Sequence, residues 1–186
     1  MRSSVLFAVV CLLFSSCSNS KPKTETAAKP QQNQLEITND MENAAMLIPS
    51  WSNEKTVIAM TQPAAHSGKY ACITNDTIEY SYTYQELFKN IISGMPKKVD
   101  VKGWIYTTVA KPQISIVLSI SEKATTYDWK VFPLADSLTE TGKWVKFNTE
   151  FYLDKPLNPE QEIKLYAWNQ SKKLIYIDDL KLRFEF

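Results

Sequence analysis

From residue 98 to the C-terminus, the sequence alternates apolar and polar side chains in run after run. In residues 98–109, Val99, Val101 and Ile105 fall on one side, and Trp104 and Tyr106 on the other. In residues 113–121, Ile114, Ile116, Leu118 and Ile120 alternate with Ser115, Ser119 and Ser121. In residues 143–153, Val145, Phe147, Phe151 and Leu153 oppose Trp144 and Tyr152. A period of two gives a β-strand one buried and one exposed face, whereas a helix would scatter both sets. Shorter or weaker runs at 35–38, 56–60, 70–74, 78–84, 127–134, 162–168 and 174–186 bring the total to about nine or ten strands. The run at 78–84 sets Tyr80, Tyr82 and Tyr84 on one face. Helical spacing is confined to one turn at 85–92, where Leu87/Ile91 and Phe88/Ile92 stand four apart, closed by Gly94 and Pro96. Many short strands and almost no helix predict an all-β fold, a sandwich or a barrel, over residues 35–186.

The first 34 residues follow other rules. Residues 1–16 carry Arg2, an apolar run from Val5 to Phe14, and Ser15 and Ser16 ahead of Cys17, which is the pattern of an export signal. The apolar run, about ten residues long, is too short to span a bilayer alone. Leu13-Phe14-Ser15-Ser16-Cys17 resembles the lipobox of bacterial lipoproteins, with Phe14 where Leu is usual. That resemblance implies cleavage before Cys17 and acylation of it. A plain secretory signal with a chance cysteine is the alternative. Acyl chains would hold the protein at a membrane by burying methylenes. Ser18 does not suggest retention at the inner membrane, so an outer-membrane lipoprotein is expected. The acidic run that marks surface export in the Bacteroides group is missing, which leaves the periplasmic and surface faces both open. Residues 18–34 hold no large apolar side chain and cannot bury enough surface to fold. With Cys17 they read as a flexible tether, its reach roughly 25 Å.

Composition removes several classes of function. Formal net charge is +1, and beyond residue 34 there are 17 basic against 19 acidic residues. Nucleic-acid binding, which needs a clustered cationic excess, is not expected. With 4 glycines there are no Gly-rich phosphate loops. Cys72 is the one cysteine after Cys17, so no internal disulfide is available, and its apolar setting in Tyr70-Ala71-Cys72-Ile73 predicts a buried, inert thiol. His66 is the sole histidine, which excludes two-histidine chemistry. Ser67 lacks the flanking pattern of a nucleophile elbow. Asp128, Glu122 and Glu150 do not mark a pair of the kind a glycosidase needs. No enzyme is expected.

One local oddity stands out in the last run. Asp178 and Asp179 are adjacent in a strand, where neighbours point to opposite faces. One of them turns inward unless the strand is bulged there. An inward carboxylate requires a partner, either a cation or the amides of a turn.

Several short pieces resemble, in order, the jelly-roll carbohydrate-binding modules of the galactose-binding-like type. They are Asp40-Met41-Glu42-Asn43, Trp51-Ser52, Ala65-His66-Ser67-Gly68-Lys69-Tyr70, Val101-Lys102-Gly103-Trp104, Gly142-Lys143-Trp144, Leu165-Tyr166-Ala167-Trp168 and Tyr176-Ile177-Asp178-Asp179-Leu180. The Ala-His-Ser-Gly turn is the most specific of them. The resemblance implies a jelly-roll β-sandwich. It also implies a structural Ca²⁺ between the first and last strands, held by Glu42, by Asp178 or Asp179, and by backbone carbonyls near Asp40 and Lys69. Met41 stands where that family usually has Phe. Sugar binding in such modules uses flat aromatics, for which Trp104, Tyr106, Trp129, Tyr166 and Trp168 are the candidates. Gln113, Asn169 and Gln170 are candidates for the polar contacts. Core packing is the competing role for each Trp, and structural roles are expected for Trp51 and Trp144. The function that follows is a membrane-anchored, non-catalytic carbohydrate-binding lipoprotein of the cell envelope. The alternative is an envelope lipoprotein that binds another protein and no glycan.

Overall fold

The computed structural model describes residues 33–47, 50–91 and 94–186. The predicted signal (1–16) and most of the tether (17–34), Cys17 included, lie outside the described residues. Eleven strands are present among the described residues: β1 (Gln34–Asn39), β2 (Trp51–Ser52), β3 (Val57–Ala59), β4 (Tyr70–Thr74), β5 (Thr83–Leu87), β6 (Lys98–Thr107), β7 (Ile114–Glu122), β8 (Thr125–Pro133), β9 (Trp144–Tyr152), β10 (Glu162–Asn169) and β11 (Ile175–Glu185). They form two antiparallel sheets. One has the order β3-β4-β11-β6-β9, with β1 also paired to β11. The other has the order β2-β5-β10-β7-β8. This is an all-β jelly-roll sandwich, as the alternation and the resemblance predict.

The core is the sum of the inward sets. Val99, Val101, Ile105, Phe147, Phe151, Leu182 and Phe184 come from the six-stranded sheet, and Ile114, Ile116, Leu118, Ile120, Ile163 and Leu165 from the other. Trp51 joins them, tilted against Tyr82 with ring centroids 5.2 Å apart. Gly103 makes room for the inward side chains of the two neighbouring strands, since a Cβ there would lie 2.9 Å from Leu180 and Phe147. Cys72 is fully buried, accepts the Tyr82 N–H at 3.2 Å, and has its thiol pushed up to about 11 by burial.

Two local expectations are corrected. Residues 85–87 are strand rather than the start of a helical turn, because they pair with Glu162–Lys164 of β10. Tertiary pairing overrides a four-residue spacing that local sequence alone favours. A short 3-10 turn, Phe88–Asn90, follows and buries Phe88. The three tyrosines of residues 78–84 also part company. Tyr82 and Tyr84 enter the core, while Tyr80 is 47% exposed. The chain kinks at Ser81, whose N–H donates to the Ala167 carbonyl and whose hydroxyl accepts the Ala167 N–H.

β11 is bulged. Its pairing with β6 slips between Asp178 and Lys181, and Asp179 takes a left-handed φ of 49°. The extra residue reverses parity: Ile175 and Ile177 point into the core before it, Leu180, Leu182 and Phe184 after it.

Candidate functional site

The hairpin between β3 and β4 is long. Residues 60–69 leave the edge, close with Met60 N–H donating to the Lys69 carbonyl at 2.8 Å, and fold over the outer face of the six-stranded sheet. The Ala-His-Ser-Gly turn lies within this loop and is gripped from two sides. Asp178 Oδ2 accepts the N–H groups of His66 (2.9 Å) and Ser67 (3.2 Å), and its Oδ1 accepts the N–H of Asp179 (2.7 Å). Glu42 Oε1 accepts the N–H groups of Lys69 (2.8 Å) and Tyr70 (2.9 Å). Gly68, at φ 56°, lies between the two grips, and a Cβ there would sit 2.3 Å from Glu42 Oε1. Asp179 completes the attachment, with Oδ2 2.5 Å from His66 Nδ1 and Oδ1 accepting the Ser67 hydroxyl at 2.7 Å.

Asp178 shares a register position with Trp104 and is covered by this turn, with no exposed surface. Burial pushes its carboxyl up to about 6, against the pull of the three amides. Several of the donors expected to hold calcium also serve this turn. Glu42 Oε1 and both oxygens of Asp178 accept amides, and the Lys69 carbonyl closes the hairpin. Among the described residues, no three His, Cys, Asp or Glu side chains are grouped so as to hold a metal ion. Four backbone amides do the joining of first segment, turn and last strand for which the resemblance implies an ion.

The same loop decides the fate of two predicted sugar-binding aromatics. Trp104 is stacked on His66, centroids 3.9 Å apart and planes 17° apart, and the Lys146 ammonium lies 6.0 Å from its ring. Tyr106 packs between Trp144 (5.8 Å) and Tyr176 (6.1 Å). Trp144 donates its indole N–H to the Ala64 carbonyl of the loop at 3.0 Å. Trp104 and Tyr106 thus belong to an assembly of loop and sheet.

The other three candidates lie on the outer face of the five-stranded sheet, so the five do not form one site. Tyr166 and Trp168 are alternate residues of β10, on the side opposite Ile163, Leu165 and Ala167. Trp129, on β8, is 49% exposed and tilts against Trp168 with centroids 6.0 Å apart. Tyr80, expected on one face with Tyr82 and Tyr84, stands edge-on to Tyr166 at 5.7 Å. The signal for it was there: a tyrosine bounded by Glu79 and Ser81, directly before a Tyr-Thr-Tyr run whose own parity suffices for the core. Trp168 is oriented by its indole N–H, which donates to Glu79 Oε1 at 2.9 Å. Beside Tyr80 and Tyr166 a shallow pocket of about 330 Å³ is bordered by Ser52, Thr83, Gln85 and Lys164. Val117, on the outward side of β7, is fully buried and sits in register with Tyr166 and Val131. The surface is therefore an aromatic floor with a hydroxyl, amide and ammonium fringe. Asn169, a polar candidate, is instead structural. It is fully buried, donating to Thr74 Oγ1 (3.1 Å) and the Lys173 carbonyl (2.7 Å).

The fold can now be compared with known structures. The second xylan-binding CBM22 domain of Paenibacillus barcinonensis Xyn10C superposes with a TM-score of 0.51 at 16% identity, covering 81% of this chain and 99% of that one. The fold is that of carbohydrate-binding modules. The tandem CBM22-1–CBM22-2 structure from the same enzyme gives 0.50 at 12% identity, covering 80% of this chain and 45% of that one. The first xylan-binding domain alone gives 0.47 at 13% identity, over 80% and 93%. No family model and no curated protein sequence matches this chain. At such identities the likeness is one of fold, and a jelly roll hosts many roles.

Proposed function

We propose that the domain is a non-catalytic glycan-binding module whose ligand lies across the outer face of the five-stranded sheet. The observation that carries this reading is the exposed aromatic floor of Trp129, Trp168, Tyr166 and Tyr80. Aromatic rings offer broad apolar faces to the C–H sides of pyranose rings, and nearby amides and hydroxyls bond the sugar's own hydroxyls. The fringe of Ser52, Thr83, Gln85 and Lys164 supplies those groups. The carboxylates bordering the face are committed elsewhere: Glu79 bonds the Trp168 indole and Glu162 pairs with Lys164 at 3.0 Å. That pattern favours holding a glycan over cleaving it, because a glycosidase needs two carboxylates free to act across the bond. The xylan-binding neighbours of the same fold point the same way.

In this reading residues 1–16 export the chain, Cys17 carries the lipid, and the tether holds the module off the outer membrane of a bacterial envelope. Cys17→Ala then moves the protein from the membrane to the soluble fraction. Native affinity electrophoresis of the full-length protein in detergent, across a panel of neutral polysaccharides, tests the binding. Retardation of the wild type by at least one glycan, lost in Trp168→Ala, is the expected result. A blank panel together with a stoichiometric protein captured from envelopes would replace this reading with the protein-interaction one.

A further inference from the structure

The outer face of the six-stranded sheet carries a feature that neither its packing nor the glycan floor on the other sheet explains. One cross-strand row reads Thr38 on β1, Lys181 on β11, Lys102 on β6 and Asn148 on β9, each in register with the next. All four are hydrogen-bond donors, and none of them is buried. Two lysines directly opposite each other repel, which costs a sheet stability. Lys181 is neutralised by Glu36 at 2.6 Å. Lys102 has no hydrogen bond or ion pair among the described residues. Lys146, opposite Trp104 and one step along the sheet from the row, adds a third ammonium that has no carboxylate within ion-pair distance.

Apart from Glu36, the carboxylates beside this row are held in an ion-paired group at one end of it. Asp100, almost fully buried, is held by Arg183 and by Lys98 at 3.1 Å, and these cations outweigh burial and keep its carboxyl below the usual range. Lys98 also bridges Glu150 (3.2 Å) and Glu185 (3.5 Å). The face is thus divided. An ion-paired lattice sits at one end and a lysine row with surplus positive charge lies beside it. Between them is a small pocket of about 80 Å³ lined by Glu36, Asp100, Lys102, Lys181 and Arg183. At about 30 Å³ per water, this holds one small oxyanion group with little to spare.

We propose that this row is an anion-binding strip, centred on Lys102, that takes the carboxylate or sulfate groups of an acidic polysaccharide. The domain beyond residue 34 carries slightly more acidic than basic residues, so the strip's surplus positive charge is a local feature and not a reflection of the overall balance. A band one row wide, bordered by Asp100, Glu150 and Glu185, suits charged groups spaced along a single chain. The amide of Asn148 and the hydroxyl of Thr38 at its ends suit the neutral hydroxyls between them. The protein then has two glycan faces of different chemistry, aromatic and neutral on one sheet, cationic on the other.

The test is native affinity electrophoresis of the full-length protein in detergent, in gels containing polygalacturonate, a sulfated galactan or a neutral xylan. The acidic polymers retard the wild type, and added NaCl weakens the retardation because the contact is ionic. Lys102→Gln lowers affinity for the acidic polymers roughly fivefold to tenfold, the scale of one lost charge-assisted contact. The Lys102→Gln/Lys146→Gln double variant abolishes it. Trp168→Ala leaves it intact. A second readout separates binding from folding. Removing a lysine that faces another lysine leaves the melting temperature unchanged or raises it, as expected of a residue kept for ligand rather than stability. Absence of retardation by both acidic polymers overturns the proposal. So does equal retardation of wild type and double variant. Failure here and failure of the neutral-glycan reading are separable, since one depends on Lys102 and the other on Trp168.

Discussion

The outer faces of the two sheets begin from the same sequence signal and end differently. Each has tryptophan and tyrosine at alternate positions of a long strand, Trp104 and Tyr106 on β6, Tyr166 and Trp168 on β10. On the six-stranded sheet, the 60–69 loop stacks His66 on Trp104 and, through Ala64, accepts the indole N–H of Trp144, which packs against Tyr106. On the five-stranded sheet, Tyr166 and Trp168 meet Tyr80 and the half-exposed Trp129 at the surface. An aromatic at an outward strand position is thus a binding candidate only until a loop claims it. The claim here depends on two carboxylates, Asp178 and Glu42, that grip the loop's turn.

The largest effect expected comes from breaking that grip. Gly68→Ala puts a Cβ against the Glu42 carboxylate and forces an L-residue to a left-handed φ, destabilising the domain by about 2–4 kcal/mol in denaturant unfolding. Glu42→Ala, which leaves two amides without an acceptor, costs about 1–3 kcal/mol. If both variants unfold like wild type, the turn is not what closes this face.

Exchanging one tryptophan from each face sharpens the contrast next. Trp104→Ala lowers the melting temperature by roughly 5 °C through lost packing while glycan retardation persists. Trp168→Ala does the reverse, reducing affinity about tenfold or more with a smaller change in melting. The opposite pattern would transfer the glycan site to the six-stranded sheet.

A subtler difference lies in pH. The folded-state carboxyl of Asp178 is raised to about 6 from an ordinary 3.8, so the native state binds its proton more tightly than the unfolded chain. Its contribution to stability is fully present below 3.8 and is lost as pH rises through about 6. Asp100, whose carboxyl is lowered, contributes with the opposite sign. Unfolding free energies of wild type and Asp178→Asn, compared between pH 4 and pH 7, should therefore lie close at pH 4 and separate as pH rises, wild type losing stability relative to the variant, with His66 and Asp179 the neighbouring titratable groups. Parallel profiles would deny the burial of Asp178. The smallest effect belongs to metal removal. With Glu42 Oε1 and both Asp178 oxygens already holding the turn through amides, EDTA should leave the melt unchanged, and a drop restored by Ca²⁺ would show that a cation joins these segments as well.

Much of the fold was legible before any coordinates. The inward sets of β6, β7 and β9 can be read directly, because a half-buried strand must alternate and only one register buries the apolar set. Even the bulge is written in the chain: apolar residues fall on odd numbers at Ile175 and Ile177 and on even numbers at Leu180, Leu182 and Phe184. The site was legible only in part. Trp129, Tyr166 and Trp168 are legible as flat aromatics in strand runs, but so are Trp104 and Tyr106, and strand pattern says nothing of a loop between other strands. Tyr80 was misread because the kink at Ser81 depends on hydrogen bonds to Ala167, which is remote in sequence.

What the sequence determined alone is therefore periodic and local: strand identity, which side of each strand meets the core, the turn at Gly68 and the strand break at Asp178-Asp179. The tertiary structure alone decided which outward face stays open, that Asp178 and Glu42 serve the same turn, and that Lys102 stands opposite Lys181. These are relations between segments 27 to 112 residues apart, brought together by sheet order and hairpin length, and no local pattern encodes the distance between two such segments.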